Sequence, residues 1–210
     1  MSEQALKSVG QRTSRLNGPD IVTGQTTYAD DIHLPGMLHG RVLHSPHAHA
    51  RIRSIDVSKA LALPGVVDVI TAKDTKGTSL LTAKEARYQG DRIAMVIAED
   101  PDIADDGVEL IEVDYKVLPS VTDPFTAMRP DAPPVLLKAP TEDVIESDGS
   151  RLQNIAARSE HVDGDVEAAF AKADAVVEQE YRMPYWHQTY MEPNSCTARV
   201  EPDGRITLWT

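Results

Sequence analysis

The sequence predicts a mixed α/β (α+β) fold, and three stretches carry that prediction. Residues 88–98, Tyr-Gln-Gly-Asp-Arg-Ile-Ala-Met-Val-Ile-Ala, end in the clearest apolar run of the chain, the mark of a buried strand. Directly after it, Asp100-Pro101 supplies a capping carboxylate and a proline at the first helical position. The helix opened there repeats Ile103, Gly107, Leu110 and Ile111 on one face of a 3.6-residue period. Finally, Gly24–Asp56 reads as strand, irregular connection, strand. Pro35-Gly36 is a turn signal, and His44-Ser45-Pro46-His47-Ala48-His49 is too polar and Pro-interrupted to continue a central strand.

Taken in order, residues 1–23 are polar, carry Gly10, Gly18 and Pro19, and are expected to be an extended lead segment. The first domain is expected over residues 24–122. After the Gly24–Asp56 stretch come a helical turn at Ser58–Leu63, a strand at Val66–Ile70 and a polar loop at Lys73–Lys84. The capped helix and a strand at Glu112–Tyr115 follow, with Ile93, Val96 and Ile103 expected inside. Gly107 costs about 1 kcal/mol of helix propensity relative to Ala, and close approach of the helix to the sheet is the expected compensation. Residues 123–163 carry Pro124, Pro130, Pro133, Pro134 and Pro140, which no periodic element tolerates, so a long surface connection is expected. Structure resumes over 164–210. Gly164-Asp165 starts a helix at Val166–Ala173, Val176–Met183 reads as a strand, and Cys196–Val200 with Arg205–Trp209 reads as a hairpin with Gly204 at its turn. The final apolar strand is expected to continue into a longer protein.

Composition narrows the function classes. A formal net charge of −12 argues against nucleic acid, whose phosphates call for a basic stripe. The single cysteine, Cys196, excludes an internal disulfide framework and is expected to be a small core residue. There is no apolar leader at the N-terminus and no apolar run of membrane-spanning length, so the expected location is cytoplasmic.

The wording of several stretches is more specific than their pattern. Arg15-Leu16-Asn17-Gly18, then Gly24-Gln25-Thr26-Thr27-Tyr28-Ala29-Asp30-Asp31, then Ser45-Pro46-His47-Ala48-His49-Ala50-Arg51-Ile52-Arg53-Ser54-Ile55-Asp56 occur in order. They resemble the opening of the molybdenum-binding large subunit of the xanthine dehydrogenase and aldehyde oxidase family. The order from Tyr88 through Val113-Asp114-Tyr115 to Leu118-Pro119 is similar to that family's α/β hammerhead domain. Asp105-Asp106-Gly107 departs from it, since small apolar or basic helix formers are usual there. Tyr185–Ala198 resembles the signature that opens the family's molybdopterin-binding region. The resemblance implies part of an enzyme that hydroxylates an aldehyde or N-heteroaromatic carbon with a water-derived oxygen. It implies a molybdopterin cofactor, in the cytosine dinucleotide form in many bacterial members. It also implies [2Fe–2S] and FAD on partner subunits or domains, the remainder of the large subunit as a further partner, and a dimer of the complete enzyme. This chain alone is expected to hold no cofactor and to turn over nothing. The rival reading is a non-catalytic assembly module that uses the hammerhead fold to hold partner chains.

Candidate sites follow from the same stretches. His39, His44, His47 and His49 crowd eleven residues, but a metal site needs three or four converging ligands, so structural hydrogen bonding is expected and no metal. His187, Gln188 and Glu192 are the candidates to face the cofactor or its substrate channel. Glu192, followed by Pro193, is expected to be a buried carboxylate pinning the backbone rather than a base, because no acid/base partner lies near it in sequence. No residue is assigned a catalytic role.

Overall fold

A computed structural model of the chain describes residues 10, 12–75, 78–138, 142–145, 149–191 and 194–210, with the backbone alone at 142–143. It divides into two compact units, Gly36–Gln179 and a smaller one built from Met1–Pro35 with Glu180–Thr210.

The larger unit is organised around β5 (Arg92–Ala98). β1 (His39–His44) and β3 (Val66–Thr71) flank it, both antiparallel. A second three-stranded sheet has β2 (Ala50–Asp56) between β4 (Glu85–Ala86) and β6 (Glu112–Val117). The predicted sheet is therefore two sheets, and the strand expected to start at Tyr88 starts at Arg92, because residues 89–90 turn with Gly90 at φ 95°.

Alternation along β5 explains why its apolar run is unbroken. Ile93 points into a cluster with Ala50, Ile52 and Ala86 of the second sheet. Ala94 and Val96, on the other face, pack with Ala60, Val69 and Ile111. Leu43, Ile55 and Val113 touch both clusters. Ile93 and Val96 are fully buried, worth about 1.5–3 kcal/mol each in transfer terms.

α2 (Ser58–Leu61) and α3 (Pro101–Glu109) contribute to the Val96 side. The predicted cap is present, with the Asp100 carboxylate accepting from Asp102 N–H at 2.8 Å and Pro101 opening α3. Close approach does account for Gly107. A β-carbon there would stand 2.9 Å from Val96 Cγ1 and 3.3 Å from Val66 Cγ2. Asp105, a departure from the resembling family, lies exposed and accepts from Arg41 Nε of β1 at 2.8 Å.

Two expected irregular stretches hold regular structure. Gly18–Val22 form a single helical turn (α1) within the lead segment. The Pro-rich connection contains α4 (Pro124–Ala127), capped by Asp123, and a hairpin of β7 (Glu142–Ile145) and β8 (Arg151–Ile155). Prolines exclude ladder bonding only where they stand, and side chains supply the rest. Asn154, at φ 58°, donates to Ala127 O and Pro133 O at 2.8 and 3.1 Å and accepts from Val135 N–H at 3.1 Å.

α5 (Val166–Lys172) starts as expected from Asp165, whose carboxylate accepts from Ala168 N–H. Its apolar face is not packed, and Val166 and Phe170 stand exposed. Val176–Met183 has no strand pairing. In the smaller unit, the predicted hairpin is β9 (Thr197–Val200) with β10 (Ile206–Trp209), its turn closed by Gly204 at φ 85°.

Candidate functional site

The histidine-bearing connection between β1 and β2 is pinned by hydrogen bonds. Ser45, buried, donates through its N–H to Asp91 O and accepts at its carbonyl from Gly90 N–H, both at 2.8 Å. His44 Nδ1 donates to Gly90 O at 2.7 Å. The His47 ring meets Tyr115 edge-on, with centroids 4.9 Å apart. Burial raises the Tyr115 phenol above its ordinary pKa, against the opposing effect of the Ser45 hydroxyl.

His49 is 4% exposed and held at both ring nitrogens. Its Nδ1 donates to Pro119 O at 2.8 Å, since a carbonyl oxygen only accepts. Its Nε2 faces Glu85 Oε1 at 2.8 Å, and the same oxygen accepts from Leu137 N–H at 2.6 Å. Among the described residues, no three His, Cys, Asp or Glu side chains are arranged to hold a metal.

Asp91 is a second buried polar centre. Its carboxylate accepts from Thr82 Oγ1 at 2.9 Å, Arg87 N–H at 3.0 Å, Arg87 Nε at 3.2 Å and its neighbour Arg92 N–H at 3.1 Å. Burial by itself raises its pKa, but these donors together outweigh burial and hold the carboxyl below its ordinary range. Neither Glu85 nor Asp91 stood out in the sequence. The available signal was the abundance of polar residues in 82–92, which a loop explains equally well.

The cofactor-facing candidates lie in the smaller unit. His187 Nδ1 accepts from Thr189 N–H at 3.1 Å, and Thr189 Oγ1 donates back to His187 O at 3.1 Å. Thr189 takes φ 54°, and the His187 ring tilts against Tyr190 with centroids 5.1 Å apart. His187 and Gln188 are exposed, as are Tyr185 and Trp186 at 95% and 80%. Glu192 lies outside the described residues. Cys196, expected in a core, is exposed just before β9, because among the described residues the hairpin is a two-stranded sheet with no second sheet in its unit. A cleft of about 410 Å³ in the same unit is lined by Tyr28, Ala29, Ile32, Leu208 and Trp209 and contains none of the candidates.

An anionic pterin cofactor needs an enclosed seat of converging donors. The His187 ring and Thr189 bond to each other, and the side chains beside them point outward, so the described residues do not make that seat by themselves. No described acid/base pair is assembled around them either.

Comparison with known proteins bears on the family rather than on the roles of these side chains. Residues 23–119 match the family model described as aldehyde oxidase and xanthine dehydrogenase, a/b hammerhead domain. Residues 148–210 match the model of a molybdopterin cofactor-binding domain. The chain belongs to the aldehyde oxidase and xanthine dehydrogenase family. It is 38% identical, over 98% of its length, to the carbon monoxide dehydrogenase large chain of Afipia carboxidovorans, of which it covers 27%. It is 37% identical, over 93% of its length, to a probable xanthine dehydrogenase subunit of Bacillus subtilis, of which it covers 26%. Among solved structures, Cu,Mo-CO dehydrogenase in its carbon monoxide reduced state aligns with 95% of the chain at a TM-score of 0.77 and 37% identity, with 27% of that chain covered. The chain thus spans about a quarter of the length of these relatives. Among the described residues, no helix is long and apolar enough to cross a membrane.

Proposed function

We propose that this chain supplies the hammerhead domain, residues 24–122, and the opening of the cofactor domain, residues 164–210, of a cytoplasmic molybdenum hydroxylase. Residues 123–163 connect the two. The observation that carries the reading is the order of the two family matches, hammerhead before molybdopterin-binding, within a fold aligned over 95% of the chain. The complete enzyme hydroxylates an aldehyde or N-heteroaromatic carbon with oxygen from water. Its cofactor is a molybdopterin, in this reading the cytosine dinucleotide form. Electrons pass through [2Fe–2S] clusters to FAD on partner subunits, and the complete enzyme dimerises.

Within this reading His187, Gln188 and Glu192 belong to the cofactor side, and Glu192 anchors backbone rather than moving protons. The remainder of the large subunit completes the seat that residues 185–191 leave open.

The test compares the 210-residue chain with a large subunit that includes it, co-expressed with iron–sulfur and flavin subunits. Molybdenum is measured by elemental analysis, and dye reduction is followed with an aldehyde, a purine and carbon monoxide. Stoichiometric molybdenum and oxidation of an aldehyde or purine in the complex, with neither in the 210-residue chain, is the expected result. A complex that assembles but holds no molybdenum would instead support a non-catalytic assembly module. Turnover of carbon monoxide alone would keep the molybdenum enzyme and overturn the substrate class. Stoichiometric molybdenum with turnover in the 210 residues would overturn the division of labour proposed here.

A further inference from the structure

Residues 120–147 lie between the two family matches. A segment interrupted by Pro124, Pro130, Pro133, Pro134 and Pro140 has fewer N–H groups to spend on a ladder, so it needs side chains to hold it. The structure provides such holds. Asn154 gathers Ala127, Pro133 and Val135 through three backbone contacts. At the hammerhead side, Leu118 N–H donates to His49 O at 3.0 Å, and the His49 ring donates to Pro119 O. Glu85, the other partner of that ring, takes the Leu137 N–H.

We propose that the part-buried His49–Glu85 pair is a clasp that fastens the Pro-rich strap at two points, at Pro119 where it begins and at Leu137 within it, to the β4–β2–β6 sheet. The strap is thereby held on the sheet of its own unit rather than hanging as a loose tether. β4 is only two residues long, and one of the two is Glu85. Pairing of Arg51 with Glu85 sets that carboxylate next to His49, the residue that immediately precedes β2. His49 is 4% exposed and the Glu85 side chain 16%, so water competes poorly for the contact between them. The hydrophobic core does not substitute for the clasp, because Leu137 is 39% exposed.

Hydrogen–deuterium exchange on the 210-residue chain tests this, since local opening reports the strap separately from the core. Glu85→Ala is expected to speed exchange at Leu137 by about tenfold or more, as expected for losing a hydrogen bond to a charged group. The β5 amides should stay within about twofold of wild type. Glu85→Gln, which keeps an oxygen for the Leu137 N–H, should retain most of the protection. Leu137→Pro removes the donor from the strap side without touching either clasp residue, and should speed exchange at Leu118, whose N–H is bonded to His49 O. Faster exchange confined to the strap in either Glu85→Ala or Leu137→Pro, with β5 unchanged, is the expected result. Strap exchange unchanged in both variants would overturn the clasp. Parallel loss in the strap and β5 in both variants would also overturn it, by making the pair part of the general core.

Discussion

β5 and residues 176–183 are both rich in side chains that favour extended backbone, yet only β5 is a strand. β5 has β1 on one side and β3 on the other, and both of its faces are covered. Val176, Val177, Tyr181 and Met183 are 59%, 87%, 80% and 91% exposed, on backbone that pairs with nothing regular. The difference teaches that β-propensity describes fitness for a half-buried pleated surface and does not create that surface. Residues 92–98 have a ladder on both edges, and residues 176–183 join no ladder. The same contrast separates α3, whose Ala104 and Gly107 are buried, from α5, whose Val166 and Phe170 face outward.

The strongest way to break this comparison is to truncate matched side chains on its two sides. Ile93→Ala removes a fully buried side chain from the junction of the two sheets and should cost about 4 kcal/mol. Val177→Ala, on an 87% exposed residue, should stay within about 0.5 kcal/mol of wild type. Urea unfolding followed by circular dichroism measures both. Equal losses would mean that residues 176–183 are packed in solution.

What was legible in the sequence follows the same division. Elements that rest on near neighbours were readable: the Asp100-Pro101 cap, the Gly204 turn, the α5 start at Asp165, and the close approach at Gly107. The two-sheet arrangement was not, because alternation along β5 reports that both faces are buried but not what lies on them. The strand expected at Val176–Met183 joins no ladder, and periodicity cannot supply a neighbouring strand. The Pro-rich segment acquires order through Asn154, His49 and Glu85, residues distant in sequence whose types have many other uses. At the cofactor end, the motif around Tyr185–Ala198 pointed to the molybdopterin-binding region that the family match identifies. Its side chains could not be given roles, because the groups they would meet are not among them.

Asp91 offers a smaller and pH-dependent contrast inside the ordered region. Asp91→Asn should cost about 2 kcal/mol at neutral pH, because an amide cannot accept all the donors that the carboxylate satisfies. The direction with pH follows from the depressed pKa. A carboxyl that ionises more readily in the folded state stabilises it above the ordinary Asp value of 3.8 and loses that contribution as pH falls through the lower, folded value. Melting temperatures of wild type and Asp91→Asn should therefore differ most near neutrality and converge at acid pH below 3.8. A gap that stays constant down to the acid limit would assign the loss to packing rather than to charge.

The smallest expected effect lies two residues from Gly107 on the same helix, and it sharpens the comparison to opposite faces of one turn. Asp105 pairs with Arg41 at 2.8 Å, but the two side chains are 59% and 48% exposed. Solvent screens such a pair, and exposed pairs of this kind are worth about 0.2–1 kcal/mol. Asp is also a weaker helix former than Ala by about half a kcal/mol, so Asp105→Ala recovers in propensity much of what it loses in pairing. Its net effect should lie within about 0.5 kcal/mol of zero. Gly107→Ala gains more propensity still, yet its new methyl would meet Val96 Cγ1 at 2.9 Å. Overpacking of a close-packed contact costs about 1–3 kcal/mol, so Gly107→Ala should be net destabilising despite the better helix former. A double-mutant cycle over Arg41→Ala and Asp105→Ala, run at low and high salt beside Gly107→Ala, measures all of this. A coupling above about 1 kcal/mol that survives high salt would mean that Asp105 is a structural partner of β1 and not a tolerated surface departure.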